Sequence, residues 1–129
     1  MLNIIITSDP RYKINKSVIN TIILDALKKQ GLTKNTEVEI NVVGDRKMHD
    51  LNLQYRKIDS STDVLSFSLT EGGREGFANT PDKILRLGSI VISYPFAVKN
   101  ASEEGISVDE EINFLALHGL DHLLGIHHE

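Results

Sequence analysis

The sequence of 129 residues contains no cysteine, which excludes a disulfide scaffold and any thiolate chemistry. Only 3 prolines and 9 glycines are present and 40% of the residues are apolar, so a collagen-like repeat and a disordered chain are also excluded. The longest apolar runs, at 4–6 and 90–92, are far shorter than the ~18–20 residues of a membrane-spanning helix. The composition that is left is typical of a globular protein.

Positive charge is also scarce, because the 14 Lys and Arg residues are outnumbered by 18 Asp and Glu residues, which gives a net charge of −4. Such a chain has no general attraction to phosphate backbones, so nucleic-acid binding would need a local basic patch. The N-terminus lacks a basic leader, and we therefore expect a cytoplasmic protein. The length predicts a single domain over 1–129 that buries roughly two thirds of the surface of the unfolded chain.

Apolar periodicity predicts strands and helices that alternate along most of the chain. The glycine-rich, polar stretch at 70–83 has no period and is expected to be an exposed loop. Strands are predicted at 2–7, 37–43, 63–69 and 85–93, and helices at 16–29, 46–56, 96–104 and after Ser107.

Helix signals support this division of the chain. Asp45 can cap the helix at 46–56, and Ser107 with Glu110 forms a capping box for the last helix. The acidic run 109–111 suits the positive end of that helix, and Gly125 can end it in a left-handed turn.

Histidines are concentrated at the end of the sequence, where four of the five lie in the last twelve residues. His118 and His122 are four residues apart, so they lie one turn apart on the same face of a helix and can share one metal ion. Gly125 lets the chain leave the helix and double back, which brings His128 toward the same ion. Three imidazoles with an open fourth position are typical of a hydrolytic zinc site.

This spacing is also the skeleton of the metzincin protease signature, but Gly119 stands where those proteases have their glutamate base. His127 has no place in the spacing, so it can be an outer-shell group, a competing ligand or a solvated residue. His49 lies on a polar helix face and is interpreted as simply exposed.

Three ordered blocks resemble the YbeY family of endoribonucleases, also described as ribosomal RNA maturation factors. The first is the run 118–128, which fits the family pattern His-Gly-x-x-His-Leu-x-Gly-x-x-His. The others are Leu-Asn-Leu-Gln-Tyr-Arg at 51–56 with Ser-Thr-Asp-Val-Leu-Ser-Phe at 61–67, and Leu-Gly-Ser-Ile-Val-Ile-Ser at 87–93. The sequence departs from the family pattern at Ser61, Ser89, Asp121 and His127.

The resemblance implies an α/β (α+β) fold with a small mixed four-stranded sheet, packed helices and one zinc ion in a cleft beside a zincin-like C-terminal helix. It implies hydrolysis of single-stranded RNA, with roles in 16S ribosomal RNA 3′-end maturation and in quality control of the small ribosomal subunit. His118, His122 and His128 carry over as zinc ligands, and Arg56 carries over as the cleft arginine.

Arg56 is also chemically suited to that role, because a guanidinium can bind a phosphodiester with two hydrogen bonds and stabilise developing charge. The alternative is a helix-end arginine paired with Asp59 or Asp63. In the hypothesis, zinc activates water while Arg56 and Lys57 position the phosphate. The carboxylates that could serve as the general base are Asp63, Asp121 and Glu129.

Two other functions stay open at this level. One is a peptidase-like metallohydrolase on the same skeleton, against which Gly119 argues. The other is a non-enzymatic module that binds RNA or the ribosome and uses zinc only to hold its C-terminal turn, with His127 as a fourth ligand.

Overall fold

The computed structural model describes residues 2–32, 35–69 and 84–126. Within them, strands and helices follow one another along the chain in nearly the predicted order. The elements are β1 (Leu2–Ser8), α1 (Lys16–Lys29), β2 (Thr36–Val43), α2 (Asp45–Arg56), β3 (Val64–Ser68), β4 (Leu85–Ser93), α3 (Tyr94–Glu104) and α4 (Val108–Leu123).

The predicted elements are confirmed, with two local corrections at helix starts. Asp45 is the first residue of α2 and does not cap it, because Gly44 is the N-cap and no side chain bonds there. Tyr94 and Pro95 belong to α3, since the Ser93 hydroxyl accepts from the Phe96 backbone N–H and so caps the helix two residues earlier than predicted. The predicted loop at 70–83 lies outside the described residues.

The four strands form one mixed sheet in the order β1-β2-β4-β3. β1 and β4 both run parallel to β2, and β3 pairs antiparallel with β4 at one edge. The described part of the chain therefore confirms the expected α/β fold with a mixed four-stranded sheet. No helix among the described residues has the length and apolar character that crossing a membrane requires.

A bulge in β4 decides which side chains of that strand point to each face. The register with β2 shifts so that Leu87 is an extra residue between two paired positions. As a result Leu85, Leu87, Ile90 and Ile92 all join the same core cluster, although strict alternation would divide them between the faces. Gly88 makes the bulge possible with a φ of 138°, and a Cβ there would lie 2.0 Å from the Phe67 carbonyl oxygen.

The core occupies mainly one face of the sheet. There α1 and α4 bury their apolar sides against β2 and β4, together with Ala97 of α3. On the other face, Met48 of α2 packs with Leu65 of β3 and Val91 of β4 in a smaller cluster. The edge strand β3 thus lies between α2 on one side and α4 on the other.

Candidate active site

The helix α4 carries the two central histidines of the predicted site. Its start is fixed by a complete capping box, in which the Glu110 N–H donates to the Ser107 hydroxyl at 3.0 Å and the Ser107 N–H donates to the Glu110 side chain. His118 and His122 are exposed, while Leu115, Ala116 and Leu120 of the same helix are buried. Packing of the apolar face therefore leaves both imidazoles free to meet a ligand.

The imidazoles of His118 and His122 face each other, with Nε2 atoms 3.3 Å apart and ring centroids 4.8 Å apart. Two nitrogens bound at ~2.0–2.1 Å to one tetrahedral zinc ion lie about 3.3–3.4 Å from each other. The pair therefore fits two positions of a zinc coordination shell without any change in the distance between the nitrogens.

The third predicted ligand, His128, lies outside the described residues, as do His127 and Glu129. Within 2–32, 35–69 and 84–126, no three His, Asp or Glu side chains are grouped as a metal site. The three-histidine set therefore stays a prediction, supported for two of its members by their spacing.

A cleft of about 380 Å³ opens beside these histidines, between α4 and the edge strand β3. Arg56 enters it from the last turn of α2, and Asp63 enters it from the segment before β3. The full lining consists of Arg56, Thr62, Asp63, Val64, Leu65, Ser66, His118 and His122. The structure thus brings the predicted arginine and two predicted ligands into one cleft.

Arg56 is exposed, and it makes no ion pair with any residue that the structure describes. Asp59, one of its two alternative partners, instead contacts His49, with Nε2 and Oδ1 2.6 Å apart. His49 is therefore more than a simply exposed residue. The guanidinium of Arg56 is the basic group in the described lining of the cleft, whereas Lys57 donates to the Gln54 carbonyl at 3.4 Å.

Gly119 brings α4 close to the sheet. The Ser66 hydroxyl donates to its carbonyl oxygen at 3.2 Å. A Cβ on Gly119 would lie 2.5 Å from Cγ2 of Ile90, far inside van der Waals contact. The position at which metzincins carry their glutamate therefore points at Ile90 of the sheet in this protein.

The sequence interpretation missed a buried group, Glu111, which it had assigned only to the positive end of α4. Glu111 is 2% exposed, and its Oε2 accepts from Asn100 Nδ2 at 3.1 Å. The same nitrogen donates to Asp63 Oδ2 at 3.3 Å, so the contact continues into the cleft. Glu111 precedes His118 by seven residues, about two helical turns, and this spacing was the available signal.

Burial raises the pKa of Glu111 above its ordinary value of 4.5. The hydrogen bond from Asn100 acts in the opposite direction, and the charges of Glu104 and Asp63 add to the increase.

Replacing Glu111 with glutamine should remove a pH dependence of stability. Because the folded-state pKa is raised, the folded protein binds more protons than the unfolded chain, and the free energy of unfolding falls as the pH rises above 4.5 through the folded-state pKa. Glutamine keeps the shape and does not titrate, so we expect Glu111→Gln to lose this fall. Melting temperatures from about pH 4 to 8 test this. Exposed Glu103→Gln is the control, and pH curves of equal slope for the wild type and Glu111→Gln would contradict the assignment.

Comparison with known proteins gives a consistent result over nearly the whole chain. A family model described as endoribonuclease YbeY matches residues 5–129. The endoribonuclease YbeY of Dehalococcoides mccartyi is 38% identical over 135 aligned residues, covering 99% of this chain and 78% of that protein. The endoribonuclease YbeY of Moorella thermoacetica is 41% identical over 116 residues, covering 88% of this chain and 73% of that protein.

A solved structure agrees with the fold. The solution structure of TM1509 from Thermotoga maritima matches with a TM-score of 0.64 and 26% sequence identity, covering 98% of this chain and 75% of that one.

The mixed sheet, its packed helices and the cleft with a histidine pair define an α/β protein with a candidate metal centre between helix and edge strand. The matches then identify the group: the chain belongs to the YbeY family of endoribonucleases, hydrolases that act on the phosphodiester bonds of RNA. Membership implies a metal-dependent enzyme with a role in ribosomal RNA maturation, and with it interaction with ribosomal RNA and the ribosome.

Proposed function

We propose that this chain is a zinc-dependent endoribonuclease specific for single-stranded RNA, acting in 16S ribosomal RNA 3′-end maturation and in quality control of the small ribosomal subunit. One observation carries the proposal: the Nε2 atoms of His118 and His122, 3.3 Å apart, share a cleft with the guanidinium of Arg56. A metal-binding pair and a phosphate-binding group on the same cleft are the minimum that metal-assisted phosphodiester hydrolysis needs.

His118 and His122 would hold the zinc ion together with His128, which the sequence spacing supplies as the third ligand. When bound, zinc acts as a Lewis acid that favours ionisation of water and neutralises charge on a phosphate oxygen. Both histidines are exposed, so a metal ion can reach their imidazoles from solvent.

Arg56 binds the scissile phosphate in this proposal. Its guanidinium can donate two parallel hydrogen bonds to phosphate oxygens. Its positive charge stabilises the negative charge that develops on those oxygens in the transition state. The cleft volume of about 380 Å³ suits one or two nucleotides of an extended strand.

The peptidase alternative is disfavoured by Gly119, because Ile90 occupies the space that a glutamate would need there. The non-enzymatic RNA-binding module would bind zinc with four protein ligands and cleave nothing. Metal analysis and a cleavage assay on the same sample therefore separate it from the proposal.

Arg56→Ala is the direct test of the nuclease site. We expect the zinc-loaded wild type to cut labelled single-stranded RNA, the chelated protein to cut none, and Arg56→Ala to cut about 100- to 1000-fold more slowly with unchanged zinc content. Arg56→Lys should recover only part of the rate, since an ammonium does not offer the paired donors. Exposed Arg46→Ala, in the first turn of the same helix, is the control. Equal rates for Arg56→Ala and Arg46→Ala would refute the role of Arg56.

A further inference from the structure

A chain of hydrogen bonds connects the buried carboxyl of Glu111 with a carboxylate of the cleft. Asn100 Nδ2 lies 3.1 Å from Glu111 Oε2 and 3.3 Å from Asp63 Oδ2, so its two hydrogens can serve both carboxyl groups. We call these three residues the Glu111 array. It joins α4, α3 and the segment before β3, three parts of the chain that meet behind the cleft.

The Glu111 array lowers the stability of the fold. Glu111 is 2% exposed, and its Oε1 has no hydrogen-bond partner among the residues that the structure describes. A buried carboxyl with one unsatisfied oxygen lowers stability, and an apolar residue of similar shape would pack there without that cost. Stability alone therefore gives no reason for a glutamate at this position.

The Glu111 array holds Asp63 in place at the cleft. Asp63 is half-buried and lines the cleft together with Arg56 and both histidines of α4. Asn100 occupies one of its carboxylate oxygens, and the Ser93 N–H donates to its backbone carbonyl at 2.9 Å, so side chain and backbone are both held. A carboxylate held in this way loses little further conformational freedom when substrate binds.

We propose that Asp63 is the proton acceptor of the cleavage reaction and that Glu111 and Asn100 are positioning residues that hold its carboxylate at the cleft. This inference rests on the proposed function. The Asp63 carboxylate takes a proton from the attacking water while the water oxygen bonds to phosphorus. The bond from phosphorus to the leaving oxygen breaks with its electron pair, the leaving oxygen takes a proton from a solvent water, and the hydroxide so formed takes the proton from Asp63.

The charges around the array suit this division of roles. The carboxyls of Glu111 and Asp63 share one amide donor, and Glu104 on α3 adds a third acidic group nearby. Burial raises the pKa of Glu111, so it is the buried carboxyl that favours the neutral form.

Asn100→Leu tests the inference, because leucine has nearly the same shape and no donor. We expect kcat to fall about 10- to 100-fold with little change in KM, since the base is misplaced and substrate binding is not. Asp63→Asn should cost about 100-fold or more, and adding Asn100→Leu to it should cost nothing further.

Two variants of Glu111 test the same array from α4, the other helix that contributes to it. They also provide the test if Asn100→Leu does not fold. Glu111→Gln keeps an oxygen that accepts from Asn100 and should retain most of kcat, whereas Glu111→Leu should reproduce the loss of kcat. Exposed Glu103→Gln on α3 is the control.

The outcomes are distinct. A rise in KM with kcat unchanged, or an equal further loss when Asn100→Leu or Glu111→Leu is placed on the Asp63→Asn background, would show that the array is only structural. Full cleavage activity in His118→Ala would instead overturn the proposed function on which the inference rests.

Discussion

His118→Ala should bind zinc more than about 100-fold more weakly than the wild type, because replacing even an outer partner of a ligand costs about 10- to 100-fold. RNA cleavage should fall below detection in the same sample. The reason is geometric: the Nε2 atoms of His118 and His122 are already spaced as two ligands of one ion, and alanine removes one of them. Equilibrium dialysis with zinc and a gel assay with labelled single-stranded RNA measure the two effects.

Thermal unfolding gives an independent measure of the same loss. A metal that binds only the folded chain raises its stability by about 2.7 kcal/mol at a free concentration of 100 times Kd. Zinc should therefore raise the melting temperature of the wild type and leave that of His118→Ala unchanged. His49→Ala is the control, since His49 contacts Asp59 outside the cleft. Stoichiometric zinc together with normal cleavage in His118→Ala would exclude this histidine as a ligand.

Gly119→Glu should be the most destabilising single change considered for this protein. Its Cβ would lie 2.5 Å from Cγ2 and 3.1 Å from Cγ1 of Ile90, a side chain with no exposed surface. Overpacking of this kind costs about 1–3 kcal/mol, and an uncompensated buried charge costs about 3–5 kcal/mol. Their total of about 4–8 kcal/mol reaches the lower part of the stability range of a small domain, about 5–15 kcal/mol. We expect a poorly folded protein without peptidase activity.

Gly119→Ala isolates the steric part of this effect. It should lower the free energy of unfolding by about 1–3 kcal/mol, as measured by urea unfolding. The double variant with Ile90→Ala should lose less than the sum of the two single losses, because Ile90 supplies both of the closest atoms. Native stability in Gly119→Glu would show that α4 can move off the sheet, and the missing protease base would then need another explanation.

Local interactions explain why the sequence predicted most elements. The Ser107–Glu110 capping box spans four residues, and α1 has the predicted bounds Lys16–Lys29. The predicted start of α3 at 96, after Tyr94 and Pro95, is two residues later than the observed start. The Ser93 cap makes the same proline part of the first turn.

The candidate site depends partly on local contacts and partly on contacts between distant parts of the chain. The pairing of His118 with His122 follows from helical spacing and was predicted from the sequence alone. The entry of Arg56 and Asp63 into the same cleft involves residues more than fifty positions before His118, and it was predicted for Arg56 only through the resemblance to the YbeY family. His128 stays a prediction, since it lies outside the described residues.

The sequence by itself determined the order of the elements, the histidine pair and the family, because periodicity, caps and motifs depend on residues a few positions apart. Only the tertiary structure decided that Glu111 is buried while Glu110 is exposed, and that the bulge at Leu87 and Gly88 places Ile90 beneath Gly119. Burial and close approach depend on how distant elements pack together, and no local pattern in a single sequence records that packing.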